Sequence, residues 1–365
     1  MKQIDCVLSC KWHFVTVGQR STFEGITLEY YDRIYGHAEI DEPILVDVLH
    51  TRALQRLRGV LQHGISGLIG ITRPTSRFEH SVGVMLLARR MGASLLEQLA
   101  ALLHDVSHTA FSHVIDYVYG GYDSQCYHEV VKETYIARSD LPEVLARYGY
   151  DWRQLVDEHQ FSLVERPAPA LCADRLDYFF RDSLDLGLAS WDDIQQALKA
   201  LVVHQGQIVV ADVGVARWIA DTYMAADHAS WASFREVGLY ELCAQAIRYG
   251  LETGVIGQDD LWSTDVQVWQ KLHACPDRRL QELLQLISPQ TRFVWDEHHP
   301  TFCVSTKLRT VDPFVLWDGQ LRLLSEMDPS YAARRAAYLR SKQGRWPMRV
   351  VPPYEGVDKE MDQIR

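Results

Sequence analysis

The stretch LLHDVSHTAFSH (102–113) sets three histidines and an aspartate within ten positions, directly behind two leucines. A core-packed helix does not carry such groups cheaply, because buried imidazole or carboxylate is costly unless paired or bound to a metal. Upstream, Ser94 followed by Glu97 has the spacing of a capping box and predicts a helix through SLLEQLAALLHDV (94–106). If that helix continues, His104 and His108 share a face, while Asp105 points roughly 100° away. His113 and Asp116 are three apart, the reach at which a carboxylate orients an imidazole and raises its basicity.

Working outward, six of the fifteen histidines fall between positions 63 and 128: His63, His80, His104, His108, His113 and His128. Imidazole combined with nearby carboxylates (Asp105, Asp116, Asp174) is the borderline donor set that suits Zn, Mn, Fe or Ni. Ligands drawn from several helices form a site inside a bundle. A ligand shell with a separate, oriented histidine is what metal-assisted hydrolysis of a phosphate ester requires. The metal polarises a phosphoryl oxygen and acidifies a water, and the second histidine protonates the departing oxygen.

The rest of the chain sets bounds. Its 365 residues, 47% apolar and 23% charged, are those of an ordinary globular protein. No apolar run reaches membrane-spanning length, and the first residues lack a signal-peptide pattern. A net charge of −11 weighs against broad nucleic-acid binding, which basic side chains drive. The seven cysteines contain no Cys-x-x-Cys pair, so a disulfide framework or cysteine zinc site is not indicated and a reducing cytoplasm is expected.

Residues 1–30 read as a short strand-like N-terminal extension, VLSCKWHFVTVG (7–18) above all. From Pro43 the spacing turns helical, and HGISGLIGITRPTSR (63–77) predicts a loop carrying a short strand. Helices are expected near 79–91, 125–137, 168–184, 192–201, 213–225, 230–252 and 277–287. Strands are expected at 207–212, 301–308 and 313–317. The basic run 333–349 reads as a solvated helix face. The fold class is therefore mostly α: a helical core over 31–255 and a smaller mixed α/β C-terminal subdomain over 256–365.

RFEH (77–80), HD (104–105), FSHVID (111–116) and ADRLDYFFRD (173–182), with YDRIYGHAEIDEPILVDVLHTRALQRLR (31–58) before them, resemble the HD-domain phosphohydrolase superfamily. Within it they are most similar to the deoxynucleoside triphosphate triphosphohydrolases. The resemblance covers roughly Tyr31 to Leu186 and rests on several blocks in the family's order. It implies an HD-domain helical bundle with His80, His104, Asp105 and Asp174 as metal ligands, His108 and His128 lining the reacting phosphate, and His113, oriented by Asp116, as the leaving-group acid. Arg77, Arg175, Tyr178 and Asp182 match positions that hold the triphosphate or sugar, and Gln62 matches a glutamine that contacts the 3′-hydroxyl. Asp177 reads as a carboxylate behind the ligands rather than one of them.

Departures from the pattern are local. His63 stands where relatives often carry leucine, which puts deoxyribose preference in question. Ser107 and Thr109 fall where relatives often place glycines, removing backbone freedom from the turn. Tyr223, His228, Trp231 and Arg235 are the candidates for distal phosphate contacts. His37, His50, His159, His204, His273, His298 and His299 read as surface or structural.

The resemblance implies hydrolysis of a (deoxy)nucleoside triphosphate to nucleoside and triphosphate, by metal-activated water attack on the α-phosphate. Two alternatives stay open: a phosphatase of nucleoside monophosphates or another phosphorylated metabolite, and a nucleotide-binding sensor with little turnover. The cofactor is a divalent ion (Mn, Fe, Zn, Ni or Co), with Mg able to bridge phosphates as a second ion. The expected partners are the nucleotide and further copies of the chain, as a dimer or tetramer, with no membrane.

Overall fold

The computed structural model of the chain describes residues 20–21 and 26–353. The strand expected over 7–18 lies outside them. Helices dominate, and three small sheets complete the fold. The first sheet is built on a hairpin of Ile26–Asp32 with Gly36–Ile40, paired antiparallel with Tyr30 opposite Ala38.

The helical pattern after Pro43 is broken rather than continuous. Pro43–Leu49 ends at His50, and Thr51 then caps Arg52–Arg56 by accepting from the Leu54 N–H. The glycine-containing 63–77 stretch is not a loop with a strand. Gly64–Leu68 forms a helical turn, and strand character shrinks to a single bridge between Leu61 and Ser76. Gly64 has φ +48, and a Cβ there would lie 2.4 Å from the Phe111 carbonyl oxygen, so only glycine fits.

Helices at Arg77–Arg90, Tyr127–Arg138, Trp191–Ala200, Val213–Ala226 and Arg278–Leu286 fall close to the expected spans. That expected from 168 begins at Ala173, and that expected from 230 begins at Phe234, behind a π-helical turn at Asp227–Trp231. Helices Leu141–Ala146 and Asp265–Ala274 have no counterpart in the sequence expectations, whereas the basic run read as a solvated helix face falls largely on helix Pro329–Lys342. The strand expected over 301–308 spans only Phe302–Val304. Residues 305–313 then form an irregular strap that leaves the sheet containing Val304 and enters the sheet containing Phe314.

Buried apolar side chains gather into two cores. One collects Val82, Leu86, Leu102, Val106, Phe179 and Tyr223, among others, and the second collects Ile65, Phe111, Val114, Leu239 and Trp269. The stretch 104–113 runs from the first core at Val106 to the second at Phe111. The candidate site therefore lies at a seam between cores, where an enclosed space survives close packing.

Candidate active site

Two helices bring the first donors together. Ser76 and Glu79 close a capping box, fixing Arg77 at the first helical position and aiming His80 inward from Arg77–Arg90. Helix Ala173–Asp185 crosses it and supplies Asp174 from its first turn. His80 Nε2 lies 2.9 Å from Asp174 Oδ1 and 3.2 Å from His104 Nε2, and His104 Nε2 lies 3.4 Å from Asp174 Oδ1.

The other nitrogen of each ring is already committed. His80 Nδ1 donates to Asp177 Oδ2 at 2.7 Å, and His104 Nδ1 donates to the Ala101 carbonyl at 2.7 Å. A carbonyl can only accept, so His104 carries a hydrogen on Nδ1, and each ring in its neutral form presents an Nε2 lone pair to the shared space, which a cation or a second proton would occupy. Two imidazole lone pairs and a carboxylate converging within hydrogen-bond distance repel one another until a cation lies between them. The residues present fit a divalent ion. The proton affinities say the same. Burial pushes His104 down, yet Asp105 and Asp174 outweigh it and hold its pKa at about 9. His80 is likewise raised against its burial by Asp174 and Asp177. Asp174 opposes its own burial and stays well below the usual carboxylate range, held there by His104 and His80.

Asp177 is fully buried behind this cluster and bonds His80 and Arg181, while Arg181 reaches Asp32 Oδ2 at 2.7 Å. Asp32 belongs to the N-terminal hairpin, so a residue far upstream steadies the imidazole.

The stretch 104–113 is not helical. The helix ends at Leu103 with His104 as its cap, so His104 and His108 do not share a helix face. Only half of the expected capping box forms: Ser94 accepts from Glu97 N–H, but the Glu97 carboxylate turns away to accept from Leu163 N–H. A run of tight turns follows, and Arg56 clamps it by donating to the carbonyls of Val106 (2.9 Å) and His108 (2.6 Å). The left-handed residues are Phe111 (φ 62) and Ser112 (φ 51), not Ser107 or Thr109, where glycines were thought to matter. Non-glycine residues hold that conformation at a cost of about 1–3 kcal/mol each. Asp265 offsets it by accepting the Phe111 N–H at 2.7 Å and the Leu61 N–H at 2.9 Å. The Ser112 hydroxyl in turn donates to the Leu61 carbonyl.

These turns place Asp105 between two groups. Its Oδ2 pairs with Arg77 Nη1 at 2.6 Å, and its carboxylate stands 3.5 Å from His104 Nε2 and 3.6 Å from His80 Nε2. Arg77, with its Nε on Ser112, outweighs burial and holds Asp105 well below the usual range. On the far side His108 Nε2 is 3.1 Å from Asp105, and the His108 ring stacks on His128 at 4.0 Å. Burial and Arg77 push His108 down to about 3, and burial with neighbouring His108 pushes His128 well down, so both rings are neutral. His113 Nδ1 bonds Asp116 Oδ2 at 3.1 Å, leaving Nε2 free toward the cavity. Burial first, then Arg77, Arg309 and Lys307, drive its pKa well below 6.5.

A cavity of about 300 Å³ is lined by the metal-binding candidates, Arg77, His108, His113 and His128 together. Gln62, His63, Arg175, Tyr178 and Asp182 also line it. Arg175 is heavily committed, donating to Glu165 and to the carbonyls of Arg166 and Ala170. The Tyr178 hydroxyl shares a hydrogen bond with that of Tyr223. Of the four candidates downstream, Tyr223 and Trp231 line the cavity. Arg235 instead points to the Pro289 carbonyl and His228 is exposed, because the π-turn rotates the two away. His159, read as surface or structural, stands at the cavity wall.

Other lining residues carried no signal in sequence. Glu236 enters from the first turn of helix Phe234–Glu252, and Lys307 and Arg309 come from the 305–313 strap. Arg309 bonds the Gln125 side-chain oxygen, and neither strap cation has a carboxylate within ion-pair distance among the described residues. Burial and neighbouring Arg309 lower the Lys307 pKa.

Residues 77–182 match the HD domain family. Over 320 residues the chain is 35% identical to the metal-dependent phosphohydrolase cns2 of Cordyceps militaris, covering 85% of this chain and 92% of that protein. It is also 35% identical to the uncharacterized protein YdhJ of Bacillus subtilis, covering 87% of this chain and 98% of that one. Similarity to the deoxynucleoside triphosphate triphosphohydrolase SAMHD1 of Gallus gallus is 26% over 220 residues, 47% of this chain and 36% of that protein. Among solved structures, a hypothetical protein from Aquifex aeolicus shares the fold with TM-score 0.66 at 20% identity, over 93% of this chain and all of that one. The ordered motifs, the two-histidine, one-carboxylate convergence and the full-length similarity lead to one conclusion: the chain belongs to the HD-domain family of phosphohydrolases.

Proposed function

We propose that this chain is a metal-dependent phosphohydrolase that acts on a nucleoside triphosphate and releases its phosphate chain intact. One observation carries the reading. A single cavity joins the His80–His104–Asp174 convergence, the His113 ring backed by Asp116, and two cations, Lys307 and Arg309, that have no carboxylate partner among the described residues. A divalent ion bound to His80, His104, Asp174 and the adjacent Asp105 supplies Lewis acidity toward a phosphoryl oxygen and lowers the pKa of water.

The chain's own residues do the rest. Asp177 and the Ala101 carbonyl fix the tautomers that turn both Nε2 atoms inward. Neutral His108 and His128 line the reacting phosphate, where each ring has one N–H to donate to its oxygens. His113, oriented by Asp116, delivers a proton from Nε2 to the departing nucleoside oxygen. Its low proton affinity before substrate arrives reflects burial and the surrounding cations. Phosphate charge offsets those cations and lets His113 take up the proton that it then donates. Lys307 and Arg309 neutralise the charge that develops on the phosphate chain.

Incubating Mn-loaded protein with individual nucleoside triphosphates and resolving the products tests the proposal. Nucleoside plus intact triphosphate is the expected result, and nucleoside monophosphate as product overturns it. A second reading, hydrolysis of a nucleoside monophosphate, is favoured by the commitments of Arg77 to Asp105 and of Arg175 to Glu165. Both guanidinium groups are already spoken for, which leaves fewer cations for a long phosphate chain. Orthophosphate release from monophosphates, with triphosphates untouched, would favour that version.

A further inference from the structure

One wall of the cavity carries polar atoms that the fold leaves unsatisfied. Asp182 is not among them: His63 Nε2 donates to one oxygen at 3.0 Å and Trp231 Nε1 donates to the other at 2.6 Å. Glu236 is different. It is 4% exposed, and its Oε1 is sealed from solvent and accepts no hydrogen bond, with the Ser66 hydroxyl, also unpartnered, close by. The side-chain oxygen of Gln62 is in the same state. Buried acceptors without partners are rare in folded proteins. Two on one wall of a ligand cavity are accounted for by a ligand that brings the donors.

The position of this wall says which part of the ligand that is. Tyr178 stands between, its ring 6.3 Å from that of His80 and 5.0 Å from that of Trp231. The wall is thus one aromatic ring beyond the cation cluster. Its unsatisfied atoms are acceptors, and an ionised phosphate, itself only an acceptor, cannot satisfy them. The group at the acidic wall is the neutral, hydroxyl-bearing part of a nucleotide.

We propose that Gln62 and Glu236 accept hydrogen bonds from neighbouring sugar hydroxyls, so that the substrate is a ribonucleotide in preference to its 2′-deoxy counterpart. The His63–Asp182–Trp231 chain holds the wall in shape. Ribose offers two hydroxyl donors on adjacent carbons to two acceptors, whereas a 2′-deoxyribose leaves one buried acceptor empty. This inference rests on the nucleotide reading above, and its test separates the two.

Mn-loaded full-length protein is assayed with ATP, GTP, CTP and UTP, their 2′-deoxy counterparts, and the corresponding monophosphates. Both kcat/KM and binding by calorimetry are measured. Sites that hydrogen-bond a substrate hydroxyl reject the analogue lacking it strongly, so a ribo-over-deoxy ratio of at least about 30 is expected. Glu236→Leu, which removes one acceptor, and His63→Leu, which removes the donor that holds Asp182 in place, are each expected to cut that ratio to below about 5. A wild-type ratio near or below one overturns the inference, as does a ratio that both variants leave unchanged. If neither variant folds, the wild-type ratio decides. Turnover without sugar discrimination overturns this inference alone, while neither turnover nor binding across the panel removes the nucleotide reading and this inference with it.

Discussion

Gly83→Ala separates helix propensity from the support of the candidate metal centre. Gly83 lies mid-helix in Arg77–Arg90, where alanine normally gains about 1 kcal/mol over glycine. Here a Cβ would stand 2.1 Å from Arg181 Nη2 and 2.1 Å from Asp177 Oδ1. Neither group has room to swing aside. Both side chains are fully buried, with Arg181 held by Asp32 at 2.7 Å and Asp177 by His80 Nδ1 at 2.7 Å. Disrupting a buried ion pair costs about 3–5 kcal/mol, so the variant should lose roughly 2–4 kcal/mol net after the helical gain. Displacing Asp177 also frees the His80 ring, and loss of such a carboxylate behind a histidine ligand lowers metal affinity about 10–100-fold. Urea denaturation followed by circular dichroism reads the first effect and Mn²⁺ titration calorimetry the second. A Gly83→Ala protein as stable as wild type, with unchanged Mn²⁺ affinity, would refute the argument that this network is rigid and holds His80.

Three further outcomes follow from the same geometry. His113→Ala should lower kcat by about 10²–10⁴-fold, with Asp116→Asn less severe because it removes orientation rather than the proton donor; equal activity in His113→Ala would exclude it as the acid. Replacing Lys307 and Arg309 together by alanine should raise KM for a triphosphate more than for a monophosphate, read from steady-state kinetics on both. Burial raises the Glu236 pKa from 4.5 to about 7, so the folded state holds its proton more tightly than the unfolded chain does. That contribution is full below pH 4.5 and is lost as pH rises through 7. Unfolding free energy should therefore fall between pH 5 and 7 by up to about 1.4 kcal/mol per pH unit more in wild type than in Glu236→Gln, and parallel pH profiles would count against the buried proton.

The parts of the site legible in sequence are those whose chemistry and spacing are local. RFEH, HD and the His113–Asp116 pair each declare themselves because histidine and aspartate at such density have few structural uses. The helix that carries Asp174 shows apolar periodicity, and the one that carries His80 has an N-terminal cap. The path of 104–113 was not legible. Leu102 and Leu103 continue a helical pattern, while the helix stops because Arg56 takes the Val106 and His108 carbonyls and Asp265 takes the Phe111 amide. Both partners are distant in sequence, so no window around the histidines contains the reason. His228 and Arg235 misled for a related cause: the π-turn at Asp227–Trp231 shifts the register and sends Trp231 inward in their place. Lys307 and Arg309 sit in a strap without periodicity, and only the closure of two sheets brings it over the cavity.

These distant partners bear on what the recognisable segment can do by itself. The match to the HD family ends at residue 182 and begins at 77, yet five residues that support the site lie outside it. Asp32 anchors Arg181, which steadies Asp177 and through it His80. Arg56 clamps the His104–His108 turn, and Gln62 and His63 form the acidic wall with Asp182. Asp265 holds the left-handed Phe111 and ties it to Leu61. A fragment limited to 77–182 would keep every proposed metal ligand, with the Asp177 and Ala101 contacts to His80 and His104, and still lose the outer partners that hold Arg181 behind Asp177 and the turn after His104. Burying four ionisable groups in a small fragment without those partners leaves charges unpaired at several kcal/mol each. The donor set therefore depends on both cores, and the motif is better regarded as the visible part of a centre assembled by most of the chain.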